Sequence, residues 1–253
     1  MTITPNIAVH QQQNHYILYH ATASSKGTCP FNVQLFDAHY LQQQQLITGT
    51  AQGRGTTYFF KPSQESTDNG LVLRHYLRGG LIANISNDHY LWTGLKHTRA
   101  YRELQILIEL YQKGLAVAKP FAARVVRRGF LYSADIITYV IPDTITLVQQ
   151  LSTASLDAKH WRTIGESIAA MHQHRVYHDD LNANNILINN QQQCFVIDFD
   201  KALIKHSTNL NWRDNNLQRL LRSLKKEQQR QQLFYFHDTD WEYFIEGYRT
   251  AIG

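Results

Sequence analysis

The sequence predicts an α+β protein whose first part is rich in strands and whose second part is mainly helical. Before Pro142, short apolar runs are separated by glycine-containing turns, a pattern typical of antiparallel strands. After Pro142, apolar residues recur every three or four positions, which is the period of an amphipathic helix. We therefore expect a strand-rich lobe at residues 1–141 and a helical lobe at residues 142–253. A chain of 253 residues is long enough for two such lobes.

Local patterns predict the individual elements of each lobe. Alternating apolar residues at 71–76 predict a strand with Arg74 on one face. The helical spacing of residues 98–113 ends at Gly114, a residue type that commonly terminates helices. Residues 1–28 are polar with weak periodicity, and we expect them to be partly strand. The same reasoning predicts a hairpin at 46–61, a second hairpin turning at 128–129, a helix with its apolar stripe at 161–171, and short strands at 186–188 and 195–197.

Composition restricts the class of protein and its surroundings. The formal net charge is +5, which suits anionic partners but selects none of them. The two cysteines, Cys29 and Cys194, lie far apart in sequence, so we expect neither a disulfide nor a zinc framework. Neither a signal peptide nor a membrane-spanning apolar run is evident, so we expect a cytoplasmic protein. We also expect no nucleic-acid partner, because basic and aromatic residues do not interleave along any predicted surface element.

Three polar residues bracket a predicted apolar hairpin in the segment YHDDLNANNILINNQQQCFVIDFD, residues 177–200. Asp180 and Asn185 lie on the loop before the hairpin, and Asp198 follows it directly. Phosphoryl transfer needs an oriented hydroxyl group and cations that neutralise the phosphate oxygens. One carboxylate can accept the hydroxyl proton, while an amide oxygen and a second carboxylate bind Mg²⁺. The pattern therefore predicts phosphoryl transfer, with Asp180 as catalytic base and Asn185 and Asp198 as Mg²⁺ ligands.

Simpler explanations exist for some residues of this region. Asparagines such as Asn182 and Asn184 are common in turns, but turn formation does not explain acidic residues on both sides of an apolar hairpin. His172, His174 and His178 suggest a zinc site, although such sites usually have four ligands. Core packing of His172 and support of the catalytic loop by His178 explain these histidines more simply.

The same segment resembles the catalytic motifs of protein kinases. His178-x-Asp180-Leu181, with Asn185 five residues after the aspartate, is similar to H-x-D-L-x-x-x-N, and Asp198-Phe199 is similar to the start of D-F-G. The resemblance implies a protein-kinase-like two-lobe fold that uses ATP and Mg²⁺. Asp200 replaces the usual glycine, and either a metal contact or pairing with Lys201 or a nearby arginine would explain it.

Five residues of the first lobe fit this resemblance as a nucleotide-binding set. Gly49, Gly53 and Gly55 could bind phosphate through backbone N–H groups, although a plain hairpin turn explains them equally well. Arg74 lies where protein kinases have a phosphate-binding lysine, and arginine keeps the charge while changing the geometry. Glu103, on the following predicted helix, lies where the glutamate that orients this lysine is found.

Longer stretches are similar to the 3-deoxy-D-manno-octulosonic acid (Kdo) kinase family. They comprise residues 71–107, 114–142 and 198–202, within a similarity that extends from Gly49 to the final helix. The resemblance implies transfer of the ATP γ-phosphoryl group to the 4-hydroxyl of the Kdo residue on Kdo-lipid A precursor, in lipopolysaccharide inner-core synthesis. It also implies a peripheral protein at the cytoplasmic face of the bacterial inner membrane, in contact with anionic lipid.

Two sets of basic residues are candidates for that lipid contact. The first basic set is Arg124, Arg127 and Arg128, and the second is Arg219, Arg222, Lys225, Lys226 and Arg230. An ordinary solvated helix face explains the second set equally well.

Two other functions also remain open. A soluble phosphotransferase of the aminoglycoside or choline type would share the Asp/Asn/Asp site, and a non-catalytic pseudokinase would explain arginine in place of lysine at position 74.

Overall fold

The computed structural model describes residues 6–21, 30–52, 55–63, 70–77 and 88–253. Gly53, one of the predicted nucleotide-binding residues, lies outside these ranges. Within them the protein contains α-helices and antiparallel sheets, which confirms the α+β class. Residue contacts divide the chain into two compact units. The first comprises Met1–Glu109 and Lys119–Ile141, and the second comprises Leu110–Ala118 and Pro142–Gly253.

The first unit is built on one antiparallel sheet with the strand order β1-β2-β7-β8-β5-β4-β3, and the short β6 pairs with β8. A 3-10 turn at Val33–Phe36 leads into helix α1, Ala38–Gln43, and helix α2 comprises Arg99–Gln112. The strands are β1 Ile7–Gln12, β2 His15–His20, β3 Ile47–Gln52, β4 Thr56–Phe60, β5 Leu71–His75, β6 Tyr90–Leu91, β7 Pro120–Arg128 and β8 Leu131–Tyr139.

Side-chain alternation along these strands builds the core of the first unit. Leu71 and Leu73 of β5 are buried together with Phe60 of β4 and Ile137 of β8. Adjacent strands place these residues in register, because Phe60 pairs with Leu71 and Leu73 pairs with Ile137. Arg74 therefore lies on the opposite face of β5, as the sequence predicts.

A two-residue turn joins β7 and β8, which confirms the predicted second hairpin, although the turn lies one residue later than predicted. Arg128 pairs with Leu131, so Gly129 and Phe130 form the turn. Gly129 has a φ of +62°, as the first central residue of a type II′ turn requires, and glycine adopts this conformation without steric cost. The predicted hairpin at 46–61 is also confirmed, since β3 and β4 are antiparallel neighbours.

Helices and short strands make up the second unit. Strand β11 pairs with β12 on one side and β9 on the other, and β10 pairs with β13. The elements are β9 Thr144–Thr146, α3 Leu147–Thr153, α4 Ala158–Gln173, β10 Val176–Tyr177, β11 Ile186–Asn189, β12 Cys194–Val196, β13 Leu203–Ile204, α5 Asn211–Arg230 and α6 Asp238–Ile252, with a 3-10 turn at Ala183–Asn185.

The segment Leu110–Ala118 belongs to the second unit, although it lies within the predicted first lobe. Helix α2 ends before Gly114, which confirms the predicted stop. Beyond it, the carbonyl of Ala116 accepts a hydrogen bond of 3.1 Å from the backbone N–H of Val196, and Val117 forms a parallel bridge with the same residue. The predicted division at Pro142 did not anticipate this contribution from an earlier part of the chain.

Helices α4 and α6 approach closely at two glycines. A Cβ atom at Gly165 would collide with the carbonyl oxygen of Phe244, and one at Gly247 would collide with that of Arg162. The absence of side chains at these two positions lets the helix backbones come together, so that Trp161 and Ile168 of α4 and Phe244 of α6 are fully buried. Among the described residues, no helix is both long and apolar enough to cross a membrane.

Candidate active site

The loop between β10 and β11 holds Asp180 and Asn185 in a fixed relation. The side-chain amide nitrogen of Asn185 donates a hydrogen bond of 2.9 Å to the backbone carbonyl of Asp180. Asn182 donates a second bond of 2.9 Å to the same carbonyl. Because its nitrogen is engaged in the loop, the Asn185 amide presents its oxygen as the atom that can bind a cation.

The hairpin of β11 and β12 brings Asp198 to the same end as Asn185. Asn185 directly precedes β11, and Ile186 at the start of β11 pairs with Val196 at the end of β12. The backbone N–H of Ile197 donates a hydrogen bond of 3.0 Å to the Asn185 carbonyl. The structure therefore places the two predicted metal ligands on neighbouring turns, with Asp180 anchored to one of them.

Asp198 has an unusual backbone conformation. Its φ is +65°, in the left-handed region that residues other than glycine rarely adopt. Such a conformation costs roughly 1–2 kcal/mol, although Asp and Asn tolerate it better than bulkier residues. Backbone strain of this kind concentrates at functional sites, where the surrounding structure maintains it. Asp200 follows within a turn that is closed by a hydrogen bond of 2.9 Å from the Ala202 N–H to the Phe199 carbonyl.

His178 connects the loop to the segment that follows β12. Its imidazole is buried, its Nε2 lies 2.9 Å from the Ile197 carbonyl, and its ring packs on Phe199 with the ring centres 5.0 Å apart. Burial lowers the pKa of His178, so the neutral ring donates from Nε2. Its Nδ1 has no hydrogen-bond partner among the described residues. His178 thus holds the loop that carries Asp180 against the segment that carries Asp198.

Asn216 of α5 holds the start of the loop and was not predicted. Its side-chain oxygen accepts a hydrogen bond of 3.0 Å from the His178 N–H, and its nitrogen donates one of 2.7 Å to the His178 carbonyl. Asn216 is fully buried. The signal was present in the sequence, because Asn216 interrupts the apolar stripe formed by Trp212, Leu217 and Leu220, and a buried amide in such a stripe needs polar partners.

His172 is a core residue that shares Asn216 with the loop. Its Nε2 lies 3.2 Å from the Asn216 side-chain oxygen, and its Nδ1 lies 2.8 Å from the Tyr248 hydroxyl. Burial lowers the pKa of His172 to about 4. Within the described ranges, no group of three or more His, Cys, Asp or Glu side chains is arranged to bind a metal ion. His172 is a buried residue with two polar partners, as expected of core packing.

In the first unit, Arg74 and Glu103 form an ion pair. Arg74 Nη2 lies 2.5 Å from Glu103 Oε1, and the hydroxyl of Tyr76 donates a hydrogen bond of 2.5 Å to the other carboxylate oxygen. Glu103 is 2% exposed, whereas the Arg74 side chain is 27% exposed. The structure thus joins two residues that are 29 positions apart in sequence. Tyr76 is a third member that sequence patterns did not reveal.

The predicted glycine loop is described only in part. Gly49 lies within β3, and its neighbour across the sheet is Phe59 of β4. Gly55 directly precedes β4, and a Cβ atom there would meet the side chain of Leu77. Gly55 therefore lies in the β3–β4 connection, whereas Gly49 lies within a strand and not in the predicted turn.

Comparison with known protein families matches residues 38–248 to the lipopolysaccharide kinase (Kdo/WaaP) family. The chain belongs to this family. The resemblance to Kdo kinases that the sequence suggested is thereby confirmed. Membership in a lipopolysaccharide kinase family makes the protein a transferase and implies the use of ATP.

Several 3-deoxy-D-manno-octulosonic acid kinases are similar to this chain over most of its length. A 3-deoxy-D-manno-octulosonic acid kinase of Mannheimia succiniciproducens is 39% identical over 95% of this chain and 98% of its own. One of Vibrio parahaemolyticus is 40% identical over 79% of this chain and 82% of its own. One of Haemophilus influenzae is 37% identical over 91% of this chain and 95% of its own.

Proposed function

We propose that this lipopolysaccharide kinase is a 3-deoxy-D-manno-octulosonic acid kinase of the protein-kinase-like two-lobe fold. It transfers the γ-phosphoryl group of ATP to the 4-hydroxyl of the Kdo residue on Kdo-lipid A precursor. The observation that carries the proposal is the 39% identity to the Mannheimia Kdo kinase over almost the full length of both chains. The arrangement of Asp180, Asn185 and Asp198 supports the kinase chemistry.

Asp180 is the proposed catalytic base. Its carboxylate orients the acceptor hydroxyl and takes its proton as the bond to phosphorus forms. The support for this role is the anchoring of the Asp180 backbone, whose carbonyl accepts hydrogen bonds from Asn182 and Asn185. A backbone held at two points restricts the positions that the carboxylate can take, which favours a productive geometry.

Asn185 and Asp198 are the proposed Mg²⁺ ligands. Mg²⁺ prefers hard oxygen donors and usually keeps several water or phosphate oxygens, so one amide oxygen and one carboxylate suffice from the protein. The residues fit this requirement, because the amide nitrogen of Asn185 bonds to the loop and leaves the oxygen for the cation. When bound, the cation neutralises charge on the phosphate oxygens during transfer.

Arg74 is the proposed phosphate-binding cation, together with the backbone of Gly49, Gly53 and Gly55. The buried carboxylate of Glu103 fixes the guanidinium at Nη2, and a guanidinium carries several N–H donors in a planar fork that suits phosphate oxygens. Arginine thus supplies both the bond to glutamate and the bonds to phosphate, the two functions that a lysine fulfils with a single ammonium group.

We further propose that the enzyme acts as a peripheral protein at the cytoplasmic face of the inner membrane. The acceptor named above carries lipid chains, and the protein carries a net charge of +5, which favours an anionic surface. Neither observation selects the part of the chain that meets the lipid.

Phosphoryl transfer from radiolabelled ATP tests the proposed reaction. We expect Mg²⁺-dependent labelling of Kdo-lipid A precursor, presented in detergent or vesicles, and no labelling of aminoglycosides or choline. Addition of a chelator should abolish the transfer. Preferential labelling of a soluble aminoglycoside or choline would identify the small-molecule phosphotransferase instead. Absence of transfer to every acceptor, with nucleotide binding retained, would identify the pseudokinase.

A further inference from the structure

An exposed apolar and basic surface lies at one end of the sheet in the first unit. Its most prominent residue is Phe130 at the tip of the β7–β8 hairpin, which is 85% exposed. Leu91 of β6 is 68% exposed and pairs with Leu131, which is 37% exposed. Arg127 and Arg128, both exposed, directly precede the turn. We call these five residues the hairpin-tip surface.

The hairpin-tip surface is held in place by the strands beneath it. The backbone N–H of Trp92 donates a hydrogen bond of 2.9 Å to the Phe130 carbonyl. The Trp92 ring stacks on Tyr16 of β2 with the ring centres 5.5 Å apart, and the Arg127 guanidinium lies 5.1 Å from the centre of the same ring. The Arg127 Nε also donates to the Gly129 carbonyl at 3.0 Å. The exposed side chains therefore project from a structured hairpin.

Basic residues predominate at the tip of the hairpin. The segments 10–16, 89–97 and 124–134 contain no Asp or Glu, and Asp135, directly beyond the last of them, is paired with Arg124. Neither Arg127 nor Arg128 forms an ion pair with any residue that the structure describes. Burial lowers the pKa of His15, and repulsion by Arg124 and Arg128 lowers it further, which is consistent with a positive potential there.

The second basic set, on α5, differs from the hairpin tip in its acidic neighbours and in the polarity of its exposed side chains. Lys225 lies 3.7 Å from Asp238, and Arg230 lies 3.0 Å from Glu227, so acidic neighbours offset part of its charge. The exposed residues of α5 are polar, and Leu233 beyond its end is the nearest exposed leucine on the C-terminal side. Arg222 and Lys226 have no ion pair among the described residues either, so the hairpin tip is distinguished by having three exposed apolar side chains beside its arginines.

We propose that the hairpin-tip surface docks onto the surface of a bilayer containing anionic lipid. Phe130, Leu91 and Leu131 enter the boundary between headgroups and acyl chains, while Arg127 and Arg128 bind lipid phosphates. Interfacial membrane anchors combine the same two contributions, burial of apolar area and attraction of basic residues to anionic lipid. The proposal rests on the proposed function, because a lipid-linked acceptor lies in a membrane.

Vesicle flotation without ATP or acceptor tests the docking surface. Vesicles contain phosphatidylcholine and phosphatidylglycerol in equal parts, and vesicles of phosphatidylcholine alone serve as the comparison. The double variant Arg127→Gln/Arg128→Gln should bind the anionic vesicles about 30-fold more weakly, since each basic residue near an anionic surface contributes about 1 kcal/mol. Phe130→Ser should weaken binding about tenfold, because part of the ring area is buried in lipid.

Two matched variants in the second unit serve as controls. Leu233→Ser removes another exposed apolar side chain, and Arg222→Gln/Lys226→Gln removes two exposed cations elsewhere. Both should bind vesicles as the unmodified protein does. Because Phe130 is 85% exposed, its replacement should leave the unfolding midpoint unchanged, so that weaker binding is not a consequence of misfolding.

Several results would overturn the docking surface independently of the proposed reaction. The proposal is wrong if Arg222→Gln/Lys226→Gln weakens vesicle binding as much as Arg127→Gln/Arg128→Gln does. It is also wrong if the unmodified protein binds both kinds of vesicle equally or binds neither. Sedimentation provides a further check. If Phe130→Ser converts a dimer to a monomer and leaves vesicle binding intact, the surface joins two copies of the chain. Failure of phosphoryl transfer with the predicted vesicle binding would instead overturn the proposed function alone.

Discussion

At the scale of single residues, Glu103 shows how a buried charge is stabilised. Its carboxylate is 2% exposed, and one oxygen accepts a hydrogen bond from Arg74 while the other accepts one from Tyr76. Charge-assisted bonds of this kind contribute more than neutral ones, and removal of one partner leaves a buried charge uncompensated. The three residues should therefore act as a unit in binding and in stability.

We predict that Arg74→Ala lowers phosphoryl transfer roughly 100-fold, because charged hydrogen bonds to phosphate contribute about 1.5–3 kcal/mol. Arg74→Lys should recover part of the activity, since the charge remains and only the two-pronged geometry is lost. Adding Glu103→Ala to Arg74→Ala should cost little more, because residues that act as a unit are not additive. Steady-state kinetics of the single and double variants measure these effects.

If the two losses multiply independently, Arg74 and Glu103 do not act together on the nucleotide. Another cation would then bind the phosphates, with Lys96 and Arg78 as the candidates. Arg78 lies outside the described residues. The unfolding midpoint of each variant should be measured as well, since a buried Glu103 carboxylate that has lost Arg74 also lowers stability.

We predict that Asp180→Asn lowers transfer by roughly 10²–10⁴-fold, the range for loss of a catalytic base, and leaves ATP binding nearly intact. The amide keeps the shape of the side chain but cannot accept the acceptor proton. The neighbouring carboxylate offers a matched control, because Asp179→Asn makes the same chemical change one residue away. Activity of the Asp180 variant within about tenfold of the unmodified protein would contradict the assignment.

The stability of the second unit should depend on pH through His172. Its folded pKa of about 4 lies below the unfolded value of 6.5, so the unfolded chain binds the proton more readily. Stability is therefore lost as pH falls below about 6.5, and the loss from this residue reaches about 3 kcal/mol near pH 4. The lowered pKa of His178 acts in the same direction on the second unit, whereas the raised pKa of His75 has the opposite effect on the first unit.

Urea unfolding at neutral and mildly acidic pH tests this dependence. His172→Gln should lose less free energy of unfolding on acidification than the unmodified protein does. His206→Gln, at an exposed histidine, should behave as the unmodified protein does. An unchanged pH dependence in the His172 variant would contradict the prediction.

At the scale of elements, local patterns were sufficient for some features and not for others. The β7–β8 hairpin, the stop of α2 at Gly114 and the apolar stripe of α4 were predicted, because each depends on residues close in sequence. Residues 1–28 were predicted only to be partly strand, because β2 is paired with β7, which lies more than a hundred residues away in sequence. Asn216 was missed for the same reason, since its partner His178 lies 38 residues earlier.

The crossing of α4 and α6 shows that a helical glycine can be required by packing. Glycine within a helix costs about 0.5–1 kcal/mol relative to alanine, so Gly165→Ala would stabilise an exposed helix. Here the added Cβ would collide with the Phe244 carbonyl and lie 2.7 Å from the Tyr248 nitrogen. We therefore predict a net loss of about 1–3 kcal/mol, the usual cost of overpacking.

Chemical denaturation of Gly165→Ala and Gly247→Ala measures this loss. Thr250→Ala introduces alanine at an exposed position of α6 and serves as the control. Its free energy of unfolding should change by less than about 0.5 kcal/mol, as is usual for surface substitutions. A stabilising effect of alanine at either glycine would show that the helices can separate without cost.

At the scale of the whole molecule, the second unit is discontinuous in sequence. The segment Leu110–Ala118 supplies the Ala116 carbonyl that accepts a hydrogen bond from Val196. It also forms one wall of a cavity of about 430 Å³, which Phe199 and Met171 line as well. A fragment that begins at Pro142 would lack this segment. Without it, β12 would become an unprotected edge strand, and such edges promote association between chains.

We predict that a fragment of residues 142–253 unfolds less cooperatively than one in which residues 110–118 precede residue 142 through a short flexible linker. The linker replaces residues 119–141, which belong to the first unit and whose ends lie close together, since the Tyr139 N–H donates to the Lys119 carbonyl at 2.9 Å. Circular dichroism during thermal unfolding compares the two, and size-exclusion chromatography reports association of the shorter fragment. Equal midpoints and equal cooperativity would show that the Val117 bridge and the adjoining wall contribute little to the second unit.

The contact between Ala116 and Val196 also has a consequence for the newly made chain. A ribosome releases residue 116 long before residue 196, so the strand segment at 116–117 emerges without the partner that it has in the finished protein. Local folding of the α2 terminus can proceed at once, whereas closure of the second unit must await roughly eighty further residues, or about 4–16 seconds at ordinary rates of synthesis. During that interval the apolar residues 115–118 lack the strand that they contact in the finished protein.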